Sequence, residues 1–446
     1  MQPLNPGTRL ASSRGEVVVE KLLGAGGQGA VYAARVGAET VALKWYHNQV
    51  TQTPELAAQR VAIEQMIGET PPSPLFLWPL ALVTQPKTRA FGYLMALRGD
   101  GFVDATKLVN GHARFEGQGG PYRLTTLMAL RIVEAFRRLH AAGFVYKDLN
   151  LGGPFVDPST GQVRICDCDN VRPNNTPGTV FFPEFAAPEV VLGSQFPTVL
   201  TDRHSVAVLL FYLFVRGNPF DGRHGASINI FTDAAKRQLY GEKPVFVFHA
   251  KNQSNAPVRG VHDAMLQNWP RIPLRLQELF ARTFERGVSH PGDRPLLDEW
   301  IEVLRISYDT LVRCQNAACK GEYFGPDTQG GGGVGTCTWC GHVHDTARVG
   351  KIRFANSREV YLTPHLRLLE DHIGERRDFD TEVGAMVASL TVPERIGLQN
   401  LSKYPWTAAP PTGGEVVVEP GKSLVLLRGM TIQFRSRSKV VEGKVL

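Results

Sequence analysis

The sequence GAGGQGAVY at residues 24–32 strongly constrains the fold, because it lies between two strand-like runs. Gly24, Gly26 and Gly29, followed by Val31, allow a backbone to fold closely over a polyphosphate, where side chains would keep the amides away. A dinucleotide-binding fold needs a helix directly after its glycines, whereas AVYAARV continues as a strand. The Rossmann arrangement is therefore excluded. Two interpretations stay open, a phosphate-binding loop and a plain hairpin turn.

Lys44 lies on the next predicted strand, in the sequence ETVALKWY. Its ammonium group can reach the phosphates of such a ligand if a carboxylate holds it in place. A helix predicted over residues 54–67, with Pro54 in its first turn, offers Glu64 for this purpose and Glu55 as a second candidate. The alternatives are an exposed lysine on a strand and a glutamate on the solvated face of a helix.

An amphipathic pattern predicts a second helix over residues 124–142, with Gly143 as its C-terminal cap. The chain then reads GFVYKDLNLGGPFVD, VRICDCDNV and, further on, GTVFFPEFAAPE. Together with the glycine segment and VALK, this order of motifs resembles a eukaryotic-type Ser/Thr protein kinase. The resemblance implies an α+β, bilobal kinase-like domain over residues 1–305, with a small lobe at about 14–96 and a large lobe at about 97–305.

The resemblance also implies ATP and Mg²⁺ as cofactors and assigns roles to individual residues. Asp148 matches the aspartate that accepts the proton of the substrate hydroxyl, and Asp167 matches the aspartate that binds magnesium. Lys44 and Asn150 join Asp148 in the catalytic set. The nucleotide-binding positions implied by the resemblance are Gly24, Gly26, Gly29, Val31, Lys44, Glu64, Met95, Leu97 and Asp167.

The sequence departs from the family pattern around the magnesium ligands. Gly153 stands where the family has a metal-binding Asn, so one amide ligand of a second Mg²⁺ is missing. Cys168 and Asp169 replace the Phe and Gly that follow the metal-binding aspartate. The carboxylate of Asp169 or the amide of Asn150 offers compensation. Two functions therefore stay open: an active kinase, and a nucleotide-binding pseudokinase or scaffold.

Further positions of the resemblance concern the architecture of the large lobe. It implies an ion pair between Glu189 and Arg294. It also implies that Asp202 accepts hydrogen bonds from the backbone of the catalytic loop, where Tyr146 and Lys147 replace the usual His and Arg.

Four of the six cysteines lie within residues 306–346 in a C-x4-C-x17-C-x2-C pattern. Two thiolate pairs on two turns are typical of a closed tetrahedral zinc site, here Cys314, Cys319, Cys337 and Cys340. Such a small unit has too little apolar content for a core and is expected to need the metal to fold. The alternatives are coincidental buried thiols, or His342 or His344 in place of one cysteine.

Residues 347–446 contain short runs rich in Val and Leu with Gly and Pro turns, which predicts an all-β domain, a sandwich. The stretch from GLQNLSKYPW to SLVLLRGMTIQF weakly resembles the second half of a forkhead-associated domain. The phosphothreonine-binding elements of that family are not evident upstream. A docking role is therefore the preferred interpretation of this domain.

Charge and hydropathy bear on the partners. The formal net charge of +7 is dispersed along the chain and lacks the aromatic and basic pattern of nucleic-acid-binding surfaces, so a nucleic-acid partner is disfavoured. The most apolar stretch, residues 206–215, is about half of the ~20 residues that span a bilayer, and the first residues lack the apolar core of a signal peptide. A cytoplasmic protein without a membrane partner is expected.

The whole architecture, a kinase domain followed by a zinc ribbon and a β domain, resembles a group of bacterial kinases. These kinases are encoded beside a von Willebrand factor A protein and a PP2C-type phosphatase in tellurite-resistance-linked systems. The resemblance implies bacterial signalling, a protein substrate and partners of those two kinds.

Overall fold

The computed structural model describes residues 4–47, 54–85, 88–113, 121–177, 181–319, 321–325, 334–345, 350–364, 366–388, 396–437 and 439–446. The side chains of His344 and Glu55, two candidates named above, lie outside this description.

The small lobe is an antiparallel sheet that closes on itself, because its first strand pairs with both the second and the fifth. The strand order is β1-β2-β3-β4-β6-β5. The strand-like runs on either side of the glycine segment, the strand that carries Lys44 and the helix predicted over residues 54–67 are confirmed. The elements are β1 (Arg9–Ser12), β2 (Gly15–Ala25), β3 (Gly29–Val36), β4 (Glu39–Tyr46), α1 (Pro54–Ile67), β5 (Ala81–Thr84) and β6 (Phe91–Ala96).

The large lobe is mainly helical and packs around α3 and α5. Helix α5 is buried along most of its length and starts at a capping box formed by Thr198 and Thr201. The predicted second helix is confirmed as α3, and Gly143 follows it with φ +83°, which favours glycine. The elements are β7 (Val103–Asp104), α2 (Ala105–Val109), α3 (Pro121–Ala141), β8 (Phe144–Val145), β9 (Pro154–Val156), β10 (Val163–Ile165), β11 (Arg172–Pro173), α4 (Pro188–Val191), α5 (Val199–Val215), α6 (Arg223–Ala226), α7 (Asp233–Arg237), α8 (Asp263–Asn268), α9 (Leu274–Ala281), α10 (Gly287–Ser289) and α11 (Leu297–Asp309).

Helix α11 runs through the predicted domain boundary at residue 305, so the cysteine-bearing segment starts directly after a large-lobe helix. That segment consists of two short hairpins. They are formed by β12 (Leu311–Arg313) with β13 (Glu322–Phe324) and by β14 (Val334–Thr336) with β15 (Val343–Asp345). Within the described residues, no helix combines the length and apolar character required to pass through a bilayer.

The C-terminal region forms two antiparallel sheets whose apolar faces share one core, including Trp406, Leu368 and Phe434. One sheet has the order β17-β16-β25-β24-β21-β22 and the other β18-β19-β20-β23. The all-β prediction for this region agrees with these strands. The elements are β16 (Lys351–Phe354), β17 (Glu359–Tyr361), β18 (Arg367–Leu369), α12 (Glu370–Ile373), β19 (Glu382–Ala388), β20 (Ile396–Asn400), β21 (Trp406–Ala409), β22 (Val416–Val418), β23 (Ser423–Val425), β24 (Thr431–Arg435) and β25 (Val440–Val445).

Candidate active site

A cavity of about 550 Å³ lies between the small-lobe sheet and the large lobe. Its wall combines the turn between β2 and β3, the face of β4 and the loop that follows β8. The predicted site residues that line it are Gly24, Gly26, Gly29, Val31, Lys44, Met95, Leu97, Asp148, Asn150 and Asp167. The structure therefore brings together every predicted nucleotide or catalytic residue except Glu64.

The glycines of the turn between β2 and β3 differ in what requires them. A Cβ at Gly24 or Gly26 would meet nothing within 4 Å, and both residues line the cavity. A Cβ at Gly29 would lie 2.3 Å from the carbonyl oxygen of Trp45 on the neighbouring strand. Gly29 is thus required by the pairing of β3 with β4, whereas Gly24 and Gly26 leave space for a ligand.

Lys44 is held by two aspartates of the large lobe. Its Nζ lies 2.9 Å from Asp167 Oδ1 and 2.9 Å from each carboxylate oxygen of Asp169. Burial alone would lower the pKa of Lys44, but the charges of Asp169 and Asp167 raise it above its ordinary value. The ammonium group is therefore charged and fixed at the cavity wall.

The prediction that Glu64 holds Lys44 is wrong. Glu64 lies on the exposed face of α1, where it accepts a hydrogen bond from Arg60 Nε at 3.1 Å. The physical reason is the aspartate at position 169, because a carboxylate in place of the family's glycine reaches Lys44 Nζ from the turn itself.

Asp202 of helix α5 holds the backbone of the catalytic loop. Asp202 Oδ2 accepts a hydrogen bond from the Tyr146 amide at 2.6 Å, and its Oδ1 accepts one from the Lys147 amide at 3.3 Å. Arg294 donates to both carboxylate oxygens of Glu189 at 2.7 and 2.8 Å. Both large-lobe predictions, the Asp202 contact and the Glu189–Arg294 pair, are confirmed.

Asp148 has one carboxylate oxygen engaged and the other without a partner. Oδ2 accepts a hydrogen bond from Asn170 Nδ2 at 3.3 Å, whereas Oδ1 is buried and has no hydrogen-bond partner among the described residues. Burial, with the nearby charges of Asp167 and Asp169, raises the pKa of Asp148 to about 6, although Lys44 and the backbone amide of Phe182 act in the opposite direction. A carboxylate of that pKa is mostly ionised at neutral pH and can accept a proton.

Gly153 is matched to an unusual neighbour. A Cβ at position 153 would lie 3.1 Å from Tyr146 Oη, closer than most real Cβ contacts. The Tyr146 hydroxyl donates to the carbonyl oxygen of Cys166 and is thereby fixed beside Gly153. The tyrosine at the position of the family's histidine thus takes up room that a larger residue at 153 would need.

The two groups expected to compensate for Gly153 are already engaged. Asn150 Nδ2 donates to the Asp148 carbonyl oxygen at 3.1 Å, and Asn150 Oδ1 accepts from the Gly152 amide at 2.8 Å, which closes the turn of the loop. The carboxylate of Asp169 is fully buried against Lys44. Asp169 is therefore enclosed and not free to bind a metal, whereas a metal at Asn150 Oδ1 would share that oxygen with the Gly152 amide.

Asn170 is a cavity-lining residue that sequence reasoning missed. It ends the short 3₁₀ turn Cys168–Asn170 and contacts Asp148 directly. The available signal was an amide residue three positions after Asp167. The fit of ATP with Mg²⁺ is supported by the donor set, because the Asp167 carboxylate is part-exposed, lines the cavity and is the kind of oxygen ligand that Mg²⁺ prefers.

Comparison with known proteins agrees with this geometry. The family model of the protein kinase domain matches residues 17–282, more than half of the chain. This chain belongs to the protein kinase family. It is 27% identical over 238 residues to atypical protein kinase C of Drosophila melanogaster. The aligned region covers 51% of this chain and 37% of that protein. It is 28% identical over 152 residues to protein kinase C delta type of Rattus norvegicus, which covers 33% of this chain and 21% of the relative. The match thus spans well under half the length of these relatives.

The four cysteines of the second site converge on one point. Their sulfur atoms all lie within 4.8 Å of one another, with Cys314 Sγ 3.6 Å from Cys340 Sγ and Cys319 Sγ 3.8 Å from Cys337 Sγ. Zinc–sulfur bonds of about 2.3 Å in tetrahedral geometry place sulfurs about 3.8 Å apart, whereas a disulfide needs about 2 Å. The arrangement therefore fits a four-thiolate metal site.

The cysteine-bearing segment packs against the large lobe. The Arg271 guanidinium lies 4.1 Å from the centre of the Trp339 ring, and Trp339 Nε1 donates to the Glu322 carbonyl oxygen at 2.5 Å. Glu322 Oε2 accepts from the Arg123 amide at the start of α3 at 3.0 Å. The geometry of the four sulfurs is thereby tied to a helix of the kinase domain.

Proposed function

We propose that this chain is an ATP- and Mg²⁺-dependent Ser/Thr protein kinase of bacterial signalling. The observation that carries the proposal is the meeting of Asp148, Lys44 and Asp167 at one cavity, where Asp148 Oδ1 is buried and makes no side-chain hydrogen bond among the described residues. A buried carboxylate oxygen without a partner costs free energy unless a ligand completes it. A substrate hydroxyl is the ligand that the position fits.

In this mechanism the chain's own residues bind, orient and accept a proton. Lys44 presents a fixed positive charge to the phosphates, and the open turn around Gly24 and Gly26 covers them. Asn170 holds Asp148 Oδ2, so Oδ1 receives the proton of the substrate hydroxyl while the hydroxyl oxygen bonds to phosphorus and ADP leaves. Magnesium bound at Asp167 would neutralise charge on the phosphates.

The test is phosphate transfer from radiolabelled ATP to the protein itself and to generic Ser/Thr substrates, with Mg²⁺ or Mn²⁺. Asp148→Asn is expected to lower transfer by about 10²–10⁴-fold, the usual contribution of a general base. The matched control is Asp233→Asn, on the exposed first turn of α7, which should transfer at the wild-type rate. Wild-type protein that binds ATP without transfer would contradict the kinase proposal.

That last result would favour the second candidate function, a nucleotide-binding pseudokinase or scaffold. The observation in its favour is Gly153 beside Tyr146, because position 153 has no ligand atom and a Cβ there would lie 3.1 Å from Tyr146 Oη, a tight contact. Calorimetric binding of ATP together with absent transfer in both metals distinguishes this candidate from the first.

The four cysteines are proposed to bind one structural Zn²⁺ that fixes the segment between the kinase domain and the C-terminal sheets. Cys337→Ser should release the metal and unfold the hairpins, since structural zinc contributes on the order of 10 kcal/mol to such units. The matched control is Cys166→Ser, outside the cluster, which should keep the metal. Elemental analysis that finds no zinc in freshly purified protein would contradict this proposal.

The remaining proposals rest on the resemblance to bacterial kinases described above: a protein substrate, a PP2C-type phosphatase and a von Willebrand factor A protein as partners, and a cytoplasmic location. The forkhead-associated-like C-terminal domain would serve in docking. Removal of phosphate from the autophosphorylated protein by a PP2C-type phosphatase from the same genome is the direct test of the first of these partners.

A further inference from the structure

We infer that Asp169 is the positioning residue for Lys44, replacing a carboxylate from helix α1. This inference deepens the proposed function and rests on ATP binding in the cavity. Asp169 lies within the turn that follows the metal-binding aspartate, and both of its carboxylate oxygens are 2.9 Å from Lys44 Nζ. Its side chain is 0% exposed.

A set of donors encloses the Asp169 carboxylate. The Tyr93 hydroxyl donates to Oδ1 at 3.0 Å, the Tyr46 hydroxyl donates to Oδ2, and Gln59 Nε2 lies 3.3 Å from Oδ2. Burial alone would raise the pKa of Asp169, but Lys44 and these hydroxyls lower it. Every approach to the carboxylate is thus taken by a group that stabilises its charged form.

The strand geometry explains why these groups meet. Lys44 and Tyr46 are two residues apart on β4, so their side chains share one face of the sheet. Tyr93 on β6 is the direct cross-strand partner of Lys44. The side chains of Lys44, Tyr46 and Tyr93 therefore project from neighbouring positions on one face of the sheet. Asp169 is the counter-charge that makes their burial favourable.

Asp167 and Asp169 both contact Lys44 but differ in their exposure. The Asp167 side chain is 40% exposed and lines the cavity, whereas Asp169 is enclosed. Asp167 can therefore turn to another ligand without leaving Lys44 unpaired. Helix α1 still contributes, but through Gln59, whose Nε2 donates to the Asp169 carbonyl oxygen at 2.6 Å.

The first experiment measures binding of ATP with Mg²⁺ and of adenosine by calorimetry for wild type, Asp169→Asn and Glu64→Gln. Asp169→Asn should weaken ATP binding by about tenfold or more, the scale of one lost charged hydrogen bond, and leave adenosine within about twofold. Glu64→Gln should change neither. A merely structural role of Asp169 would weaken both ligands or neither, and that result, or a tenfold effect of Glu64→Gln, would overturn the inference.

A milder variant covers the case in which Asp169→Asn does not fold. Tyr93→Phe removes one donor and keeps the carboxylate, and it should weaken ATP binding several-fold without changing adenosine binding. The matched control is Tyr32→Phe, on the same sheet, whose hydroxyl contacts only the Leu4 amide among the described residues. Equal ATP affinities for the two variants would count against the inference.

A melting experiment separates the inference from the proposed function. Lys44→Met leaves the Asp169 carboxylate buried without its cation and should lower the melting temperature. The double variant Lys44→Met with Asp169→Asn should melt above the single variant, because the uncompensated charge is gone. If wild type fails to bind ATP, the proposed function fails while this cycle still tests the pairing; a double variant that melts no higher than Lys44→Met overturns it.

Discussion

Lys44 in the cleft and Arg358 at the start of the C-terminal sheets are both cations held between two aspartates, but only Arg358 is enclosed on both sides. Arg358 donates to both oxygens of Asp309, at the end of α11, and to Asp371 Oδ2 at 2.8 Å. Both of these aspartate side chains are 3% exposed. In the cleft, Asp169 is enclosed and Asp167 is 40% exposed.

The carboxylates at these two places also differ in their further hydrogen-bond partners. The contact of Asp309 on α11 with Arg358 and Asp371 of the C-terminal region is called the junction here. At the junction, His372 Nε2 lies 2.9 Å from Asp309 Oδ1, and Arg305 Nε donates to Asp371 Oδ2 at 2.9 Å, so both carboxylates have second partners. In the cleft, Asp148 Oδ1 has no partner among the described residues. A cation between two aspartates is therefore fully enclosed at the junction, where it holds two parts of the chain together. In the cleft, one of the two aspartates stays accessible from the cavity.

The largest expected effect on stability comes from removing Arg358 at the junction. Arg358→Met leaves the buried Asp309 with His372 as its remaining partner, whereas Asp371 keeps Arg305, and loss of one partner of a buried ion pair costs about 3–5 kcal/mol. The free energy of unfolding, measured with urea, should fall by that amount. ATP affinity should stay within about twofold, because Arg358, Asp309 and Asp371 do not line the cavity.

Arg353→Met is the matched control for this prediction. Arg353 pairs with Glu359 in the same sheet, but its side chain is 55% exposed, and exposed pairs contribute at most about 1 kcal/mol. Equal losses for the two arginine variants would contradict the distinction between a closed and a solvated pair.

The next effect concerns the open side of the cleft. Gly153→Asn alone should lose about 1–3 kcal/mol of stability and gain no transfer, because its Cβ meets the Tyr146 hydroxyl. The combination with Tyr146→Phe removes that hydroxyl and should raise phosphate transfer by about tenfold, as an added metal ligand would. Tyr146→Phe alone is the control. Higher transfer by Gly153→Asn alone would show that the hydroxyl yields without cost.

The smallest effect is the pH dependence of the junction. Burial would raise the pKa of Asp309, but Arg358 and His372 lower it to about 2, so the stability it contributes is present above its unfolded pKa near 3.8 and is lost as pH falls toward 2. Burial and Arg358 lower the pKa of His372, so its contribution also declines below about pH 6.5. Urea unfolding should show a loss of about 1 kcal/mol between pH 6 and pH 3 from Asp309 alone. Arg358→Met should flatten this slope, and an unchanged slope would contradict the assignment.

Particular residues show how far sequence reasoning reached. The glycine turn, Lys44, Asp148 and Asp167 were predicted from motifs, and the cavity brings them together. Glu64 was assigned wrongly because its spacing in the helix fits a partner of Lys44, while nothing in the sequence reveals that Asp169 occupies the ammonium group first. Tyr93 and Asn170 were missed because their partners, Asp169 and Asp148, lie 76 and 22 positions away along the chain.

The sequence by itself determined the order of elements, the residues of the glycine turn between β2 and β3 and the convergence of four cysteines, since these depend on local periodicity, on glycine and on ligand spacing. Only the tertiary structure decided which carboxylate holds Lys44, why Gly153 has no side chain and how α11 joins the C-terminal sheets. The physical reason is that a buried charge is stabilised by whichever groups reach it in three dimensions. That choice depends on the β4–β6 register, on one turn and on the enclosure of Asp309 by Arg358.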